Sequence, residues 1–375
     1  MTSSFRKRKK IIVLGATGSI GTSAVDIIRH HPDLFELAGI SAYQSKDKLD
    51  ALGSEFPEAE KVLVIENGEN KLLEMIRETE ADLVLNGISG ANGMFPSKAA
   101  LESGKNLALA NKETMVMAGA LILELARKMN VSVIPVDSEH SAVFHLISSF
   151  GKNHLDEIIL TASGGPFRTW DRKKIAQAAP EDALKHPTWT MGTKITIDSA
   201  SLANKGLEVI EACKLFSLTP DRVRVVVHPQ SLVHSFIRTS DKVLYAQISH
   251  PDMRHPILSA FSWPEIIPNF LEPFSFEDAI VMQFEPVRYD DFPMLNLAYR
   301  SASLDASYPI AYNAANEVAV ASFVNHAITF PQIAEITAKV LDNDWSNVPG
   351  SFEEIGETDS RAREKTIQAV KEVNI

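Results

Sequence analysis

Residues 11–21 read Ile-Ile-Val-Leu-Gly-Ala-Thr-Gly-Ser-Ile-Gly. Four consecutive apolar residues are what a strand buried on both faces requires. Three glycines follow, and then Ile20, Ala24, Ile27 and Ile28 recur at helical spacing. Strand, glycine turn and helix in that order make a dinucleotide cradle. The glycines permit a tight turn and close approach of a pyrophosphate, and the helix start offers backbone N–H groups and a positive dipole end. The spacing is G-x-x-G-x-x-G, not the usual G-x-G-x-x-G, so an ordinary glycine-rich turn is the alternative on this stretch alone.

Outward from it, strand and helix alternate. Residues 35–40, 61–65, 81–86, 106–110 and 131–136 read as further strands with helical stretches between them. This predicts a doubly wound parallel sheet, Rossmann-like, over 1–150. From about residue 155 the pattern changes. Residues 155–161 and 195–197 read as strands, and 223–227, 232–238 and 243–248 come without intervening helices. Ser240-Asp241 can turn a hairpin. A mixed α/β domain with a partly antiparallel sheet is expected over 151–262. Residues 263–290, rich in proline and acid, read as a connecting segment, and 291–375 as a helical domain with helices at 294–304, 312–324, 331–341 and 361–373.

Of the 375 residues, 37 are Lys or Arg and 48 are Asp or Glu, a formal charge of −11. That argues against wrapping nucleic acid or lying on an anionic membrane. The longest apolar run, residues 115–123, is far short of the ~20 residues of a membrane span. Arg6 to Lys10 form a basic run that reads as a solvated tail. One cysteine, Cys213, excludes an internal disulfide and a cysteine-based zinc site. A cytoplasmic protein is expected.

Asp137-Ser138-Glu139-His140 follows a strand, and its two carboxylates can converge on a hard divalent cation. Equally, Asp137 or Ser138 can cap the next helix. Ser199, Asn204 and Lys205 gather hydroxyl, amide and ammonium near a helix start, the chemistry of a phosphate site. Glu208 shares a helix face with Asn204 and can supply a third carboxylate, although Glu208 and Lys205 also read as surface charges. Ser163-Gly164-Gly165 ends a strand and can present N–H groups to an anion. Lys185 to Gly192 places Trp189 and Met191 in a loop, either as a lid or as core. Cys213 sits mid-helix and reads as a structural thiol.

Taken together, these segments resemble the 1-deoxy-D-xylulose 5-phosphate reductoisomerase family. The matching stretches are 15–21, Leu109-Ala110-Asn111-Lys112-Glu113, 135–140, 163–167, 186–192, 199–208 and Asn313-Ala314-Ala315-Asn316-Glu317. The resemblance implies NADPH and Mg²⁺ or Mn²⁺ as cofactors, a small phosphorylated sugar as substrate, and a homodimer. It implies Asp137, Glu139 and Glu208 as metal ligands and catalytic residues together with Lys112. Lys112, Ser138, Ser163, His186, Trp189, Ser199, Asn204 and Lys205 would contact substrate, with His186 and Trp189 on a flap at about 185–193. Thr17, Gly18, Ser19, Ile20, Gln44, Ser45, Asn111, Glu113 and Gly192 would contact NADPH. Residues 1–150 become the NADPH-binding domain and 151–262 the catalytic one. The implied reaction rearranges the ketose skeleton by retro-aldol cleavage and re-addition, with the cation as Lewis acid. NADPH then reduces the branched aldehyde to 2-C-methyl-D-erythritol 4-phosphate, in non-mevalonate isoprenoid biosynthesis.

Two stretches depart from the family pattern. Tyr43-Gln44-Ser45 stands where a glycine, a basic residue and an asparagine are usual, and residues 86–93 stray from Val-Gly-Ala-Ala-Gly. Both lie on the cofactor side, so weaker NADPH selection is expected. A semialdehyde dehydrogenase needs an activated thiolate at a helix start, which Cys213 does not supply. A metal-free NADP dehydrogenase would leave three acids unused. A non-catalytic NADPH-binding regulator would be expected to have lost one of the acids or Lys205.

Overall fold

The computed structural model describes residues 7–185, 189 and 192–373. Its contacts group the chain into two units. The first comprises Met1–Thr114, Ala120–Ser141 and Asp252–Glu272, the second Met115–Gly119, Ala142–Pro251 and Pro273–Ile375.

The first unit holds a six-stranded parallel sheet. Its strands are β1 (Lys9–Leu14), β2 (Phe35–Ala42), β3 (Glu60–Leu63), β4 (Leu83–Asn86), β5 (Asn106–Leu109) and β6 (Val133–Pro135), in the order β3-β2-β1-β4-β5-β6. Ile11 to Leu14 are wholly buried, as their unbroken apolar run requires. The strand order reverses between β1 and β4, where Ile11 pairs with Leu83. That switch point is where ligands bind in such sheets. The third strand is shorter than the sequence suggests: Val64 and Ile65 open the helix Val64–Glu78. The helix Arg254–Ser262 also belongs to this unit. It is tied by Arg254 to Asp26 at 2.8 Å and by Phe261 packing edge-on to Phe35 with ring centroids 5.6 Å apart.

The second unit holds a four-stranded mixed sheet of β7 (Leu155–Ala162), β8 (Val223–Val227), β9 (Val233–Thr239) and β10 (Leu244–Ile248), in the order β10-β9-β7-β8. β7 and β8 are parallel, and the other two pairings are antiparallel. The expected hairpin joins β9 to β10. Residues 195–197 are not a strand: they lie in the helix Thr193–Ser201. Three β-branched residues carry strand propensity, but here Thr196, Ile197 and Ala200 bury one helical face. The Thr196 hydroxyl bonds back to the Gly192 carbonyl at 2.8 Å, and Lys194 pairs with Asp198 four residues on at 2.8 Å.

Four helices, Pro293–Leu304, Tyr308–Val324, Phe330–Leu341 and Phe352–Glu372, complete this unit around Tyr312, Phe323, Phe330 and Trp345. The last begins nine residues before its expected start, because Ser351 caps it by accepting the Glu354 N–H. Among the described residues, no helix is long and apolar enough to cross a membrane.

Candidate functional site

In the first unit, three glycines shape the turn after β1. Gly15 has φ +73°, and a Cβ there would lie 2.9 Å from the Gly87 carbonyl oxygen. Gly21 is more constrained still: a Cβ would meet Gly15 O at 2.3 Å and Ala16 Cα at 2.4 Å. The helix Ser19–His30 can therefore lie against the turn only with glycine at that position. Its N-cap, Gly18, offers no side-chain bond, and its first turn holds no acid. The helix start, with Thr17, Gly18, Ser19 and Ile20 around it, thus offers N–H groups and dipole to an anion. These features fit a dinucleotide.

At the end of β2, Tyr43 and Gln44 are exposed, and Ser45 begins the helix Lys46–Glu55. Lys46 pairs with Glu66 at 3.1 Å. At the ends of β4 and β5, two asparagines order the intervening loop. Asn86, fully buried, donates to Gly93 O and Ser97 Oγ at 2.8 Å each and accepts the Ile88 N–H at 3.1 Å. Asn111 donates to Ile88 O and Gly90 O at 2.8 Å and to Glu113 at 3.0 Å. Its Oδ1 caps the helix Lys112–Met129 through the Thr114 N–H at 2.9 Å. The Asn111 side chain is thus held by its own loop and helix.

Lys112 and Asp137 form a nearly buried ion pair of 2.7 Å. The second Asp137 oxygen accepts the N–H groups of Glu139 (3.1 Å) and His140 (3.4 Å), so Asp137 caps the helix Ser138–Phe150 as well. The Ser138 hydroxyl donates to Glu139 at 2.6 Å. Both carboxylates stand just beyond β6, at the carboxyl edge of the sheet, and are hard oxygen donors of the kind Mg²⁺ or Mn²⁺ takes.

In the second unit, Ser163 follows β7, and its Oγ accepts the Gly165 N–H at 3.2 Å. Gly164 and Gly165 both have positive φ, and a Cβ on Gly165 would lie 2.6 Å from Ser199 O. The Ser163 turn is therefore seated against Ser199. Leu202, in the left-handed region at φ +60°, turns the chain straight from the helix Thr193–Ser201 into the helix Ala203–Phe216. The latter carries Asn204, Lys205 and Glu208. Asn204 Nδ2 donates to one Glu208 oxygen at 2.5 Å, and Lys205 Nζ donates to the other. Glu208 is 1% exposed and Lys205 4%, so neither is the surface charge that local sequence permits. Asn204 Oδ1 is buried with no hydrogen-bond partner, which leaves an oxygen for a ligand or water.

Gly192 caps the helix Thr193–Ser201, and Trp189 is half-buried. His186 lies outside the described residues, as does most of the expected flap. Burial pushes the Cys213 thiol up to about 12, so it stays protonated and inert.

The sequence profile described as 1-deoxy-D-xylulose 5-phosphate reductoisomerase matches residues 11–67 and 44–119. Two profiles for C-terminal domains of the same enzyme match 133–216 and 248–365. The 1-deoxy-D-xylulose 5-phosphate reductoisomerase of Treponema denticola is 48% identical over 364 residues, 95% of this chain and 96% of the relative. The chain belongs to the 1-deoxy-D-xylulose 5-phosphate reductoisomerase family. The family's enzyme from Treponema pallidum is 44% identical over 95% of the chain and 96% of its own length. Among solved structures, a reductoisomerase in complex with NADPH, fosmidomycin and magnesium superposes with a TM-score of 0.89 at 33% identity, covering 97% of this chain and 98% of that one. The Zymomonas mobilis enzyme in complex with NADPH gives 0.87 at 35%, covering 97% and 99%.

Sequence reasoning missed Asn86, Asp198 and Asn316, whose importance lies in their partners. The one available hint was a single asparagine ending or interrupting an apolar stretch, as in Leu83-Val84-Leu85-Asn86 and Asn313-Ala314-Ala315-Asn316, and it names no partner.

Proposed function

We propose that the chain converts 1-deoxy-D-xylulose 5-phosphate to 2-C-methyl-D-erythritol 4-phosphate with NADPH and a divalent cation, in isoprenoid biosynthesis. The observation that carries this reading is family membership over nearly the whole chain, joined to the complete set of acids and lysines described above. Related structures hold NADPH and magnesium. We assign Asp137, Glu139 and Glu208, three hard oxygen donors, the role of metal ligands. When bound, the cation supplies Lewis acidity and NADPH supplies hydride.

The protein's own groups bind and orient. Ser163, Ser199, Asn204 and Lys205 hold the substrate phosphate, whose binding energy is available to position the reacting carbons. Lys112 and Ser138 orient the sugar backbone, with Lys112 also fixing Asp137. His186 and Trp189 cover the sugar. The N–H groups at Thr17 to Ile20 take the pyrophosphate, with Asn111, Glu113 and Gly192 as further contacts to NADPH. NADPH oxidation with the phosphorylated ketose, with and without Mg²⁺, tests the reading. Metal-dependent turnover is expected, and absence of turnover with ketose, NADPH and Mg²⁺ all present would overturn it.

Gln44 and Ser45 face the ribose 2′-phosphate in this reading. Gln44 offers hydrogen bonds without charge, and Lys46 is shared with Glu66. The preference for NADPH over NADH is therefore expected to be modest. Gln44→Arg should raise the ratio of kcat/KM values about tenfold, since a guanidinium–phosphate pair is charge-assisted and can be bidentate. An unchanged ratio would place the phosphate elsewhere.

We assign a homodimeric, cytoplasmic state. β10 is an edge strand with Leu244 and Ile248 exposed, and Phe276 and Val281 in the same unit are 80% and 74% exposed, apolar groups that a second copy can cover. The sole cysteine is a free thiol. Sedimentation showing only monomer at micromolar concentration would refute the dimer, and cell fractionation checks the compartment.

A further inference from the structure

The motif Asn313-Ala314-Ala315-Asn316-Glu317 is left without a role by the assignments above, yet its two asparagines are completely buried in the helix Tyr308–Val324. Asn316 Nδ2 donates to Asp198 Oδ1 at 2.8 Å. Asp198, 1% exposed, receives Lys194 on its other oxygen at 2.8 Å. Asn316 Oδ1 is buried with no hydrogen-bond partner. The contribution of this amide therefore lies in its donor end, which supplies a hydrogen bond to the buried Asp198 carboxylate.

We propose that Asn316 and Asp198 are positioning residues for the phosphate cradle, a role that rests on Ser199, Asn204 and Lys205 holding the substrate phosphate. Asp198 immediately precedes Ser199. Lys194, one turn earlier on the same helix, holds the Asp198 carboxylate in place, and Asn316 ties that carboxylate to the helix Tyr308–Val324, which fixes the rotation of the helix Thr193–Ser201 about its axis. That rotation sets where the Ser199 hydroxyl points. It also sets the Ser199 carbonyl, against which the Ser163 turn is seated with no room for a Cβ at Gly165. Through Leu202 it sets the start of the helix that carries Asn204 and Lys205. One buried hydrogen bond thereby aligns three contributors to the cradle without touching substrate.

The test is Asn316→Ala alongside the swap Asp198→Asn/Asn316→Asp, which restores a donor–acceptor pair with reversed polarity. With Mg²⁺ and NADPH present, N316A is expected to raise KM for 1-deoxy-D-xylulose 5-phosphate roughly tenfold, the scale on which outer partners that orient a binding group act. The kcat should change less than about threefold, and NADPH affinity by fluorescence should not change. Inorganic phosphate should raise the Tm of the wild type and raise that of N316A less. The swap should bring KM back to within about threefold of wild type. A folded N316A with unchanged KM and an unchanged phosphate response overturns the proposal, as does a natively stable swap whose KM stays raised tenfold. Should N316A fail to fold, the swap alone decides. Failure of the wild type to turn over would instead overturn the assigned reaction, which keeps the two outcomes distinct.

Discussion

Glu208→Gln is expected to lower kcat by about 10²–10³-fold, the loss typical of removing one preorganised charge from a reacting site. Three effects act together. On the proposed assignment the cation loses a carboxylate ligand, so its charge is less neutralised and its affinity falls. The Lys205 ammonium, 4% exposed, loses an anionic partner and faces a neutral amide in its place. Asn204, now facing an amide of similar shape, can turn either end toward it and no longer has a fixed orientation. Raising Mg²⁺ should recover part of the affinity and little of the rate. Full activity of the variant in chelator-treated buffer would remove Glu208 from the metal site.

Gly21→Ala is the second large effect. The added methyl would sit 2.3 Å from Gly15 O and 2.4 Å from Ala16 Cα, both main-chain atoms that cannot step aside. The helix Ser19–His30 has to move outward, at a cost of about 3 kcal/mol or more. Its N–H groups then miss the pyrophosphate, and a misplacement of about 1 Å is enough to cost roughly 10²-fold in kcat/KM for NADPH. Thermal unfolding and NADPH titration check the two halves separately. Native stability with native NADPH affinity would mean that the turn is slacker than its geometry indicates.

The fold was readable where periodicity and punctuation agree. Residues 11–21 carry both, and β1, the glycine turn and the following helix came out as expected. Residues 195–197 carried only β-branched composition, too short a run to separate strand from helix. Their helical state is decided by burial of Ile197 and Ala200 and by the Lys194–Asp198 pair. The acids and lysines of the site were legible as types, but their pairing was not. Asp137 caps its helix, one of the two alternatives open at the sequence level, and also pairs with Lys112, which no local spacing announces. Asn86 was hidden for a different reason. Its bonds go to Ile88, Gly93 and Ser97, a loop whose path is set by the ends of β4 and β5, so no local spacing announces it.

The first structural unit is not a continuous stretch of chain. Its last piece, Asp252–Glu272, is translated only after residues 142–251 of the other unit. On the ribosome, at roughly 5–20 residues per second, about ten seconds separate Ser141 from the arrival of that segment. Throughout that interval Phe35 has no Phe261 to cover it, Asp26 has no Arg254, and Lys9 lacks the Phe261 carbonyl that it later reaches at 2.7 Å. The nascent dinucleotide-binding sheet must therefore wait, partly uncovered, for a later segment of its own sequence, and its maturation is tied to the passage of residues 142–251 rather than to the order in which its strands emerge.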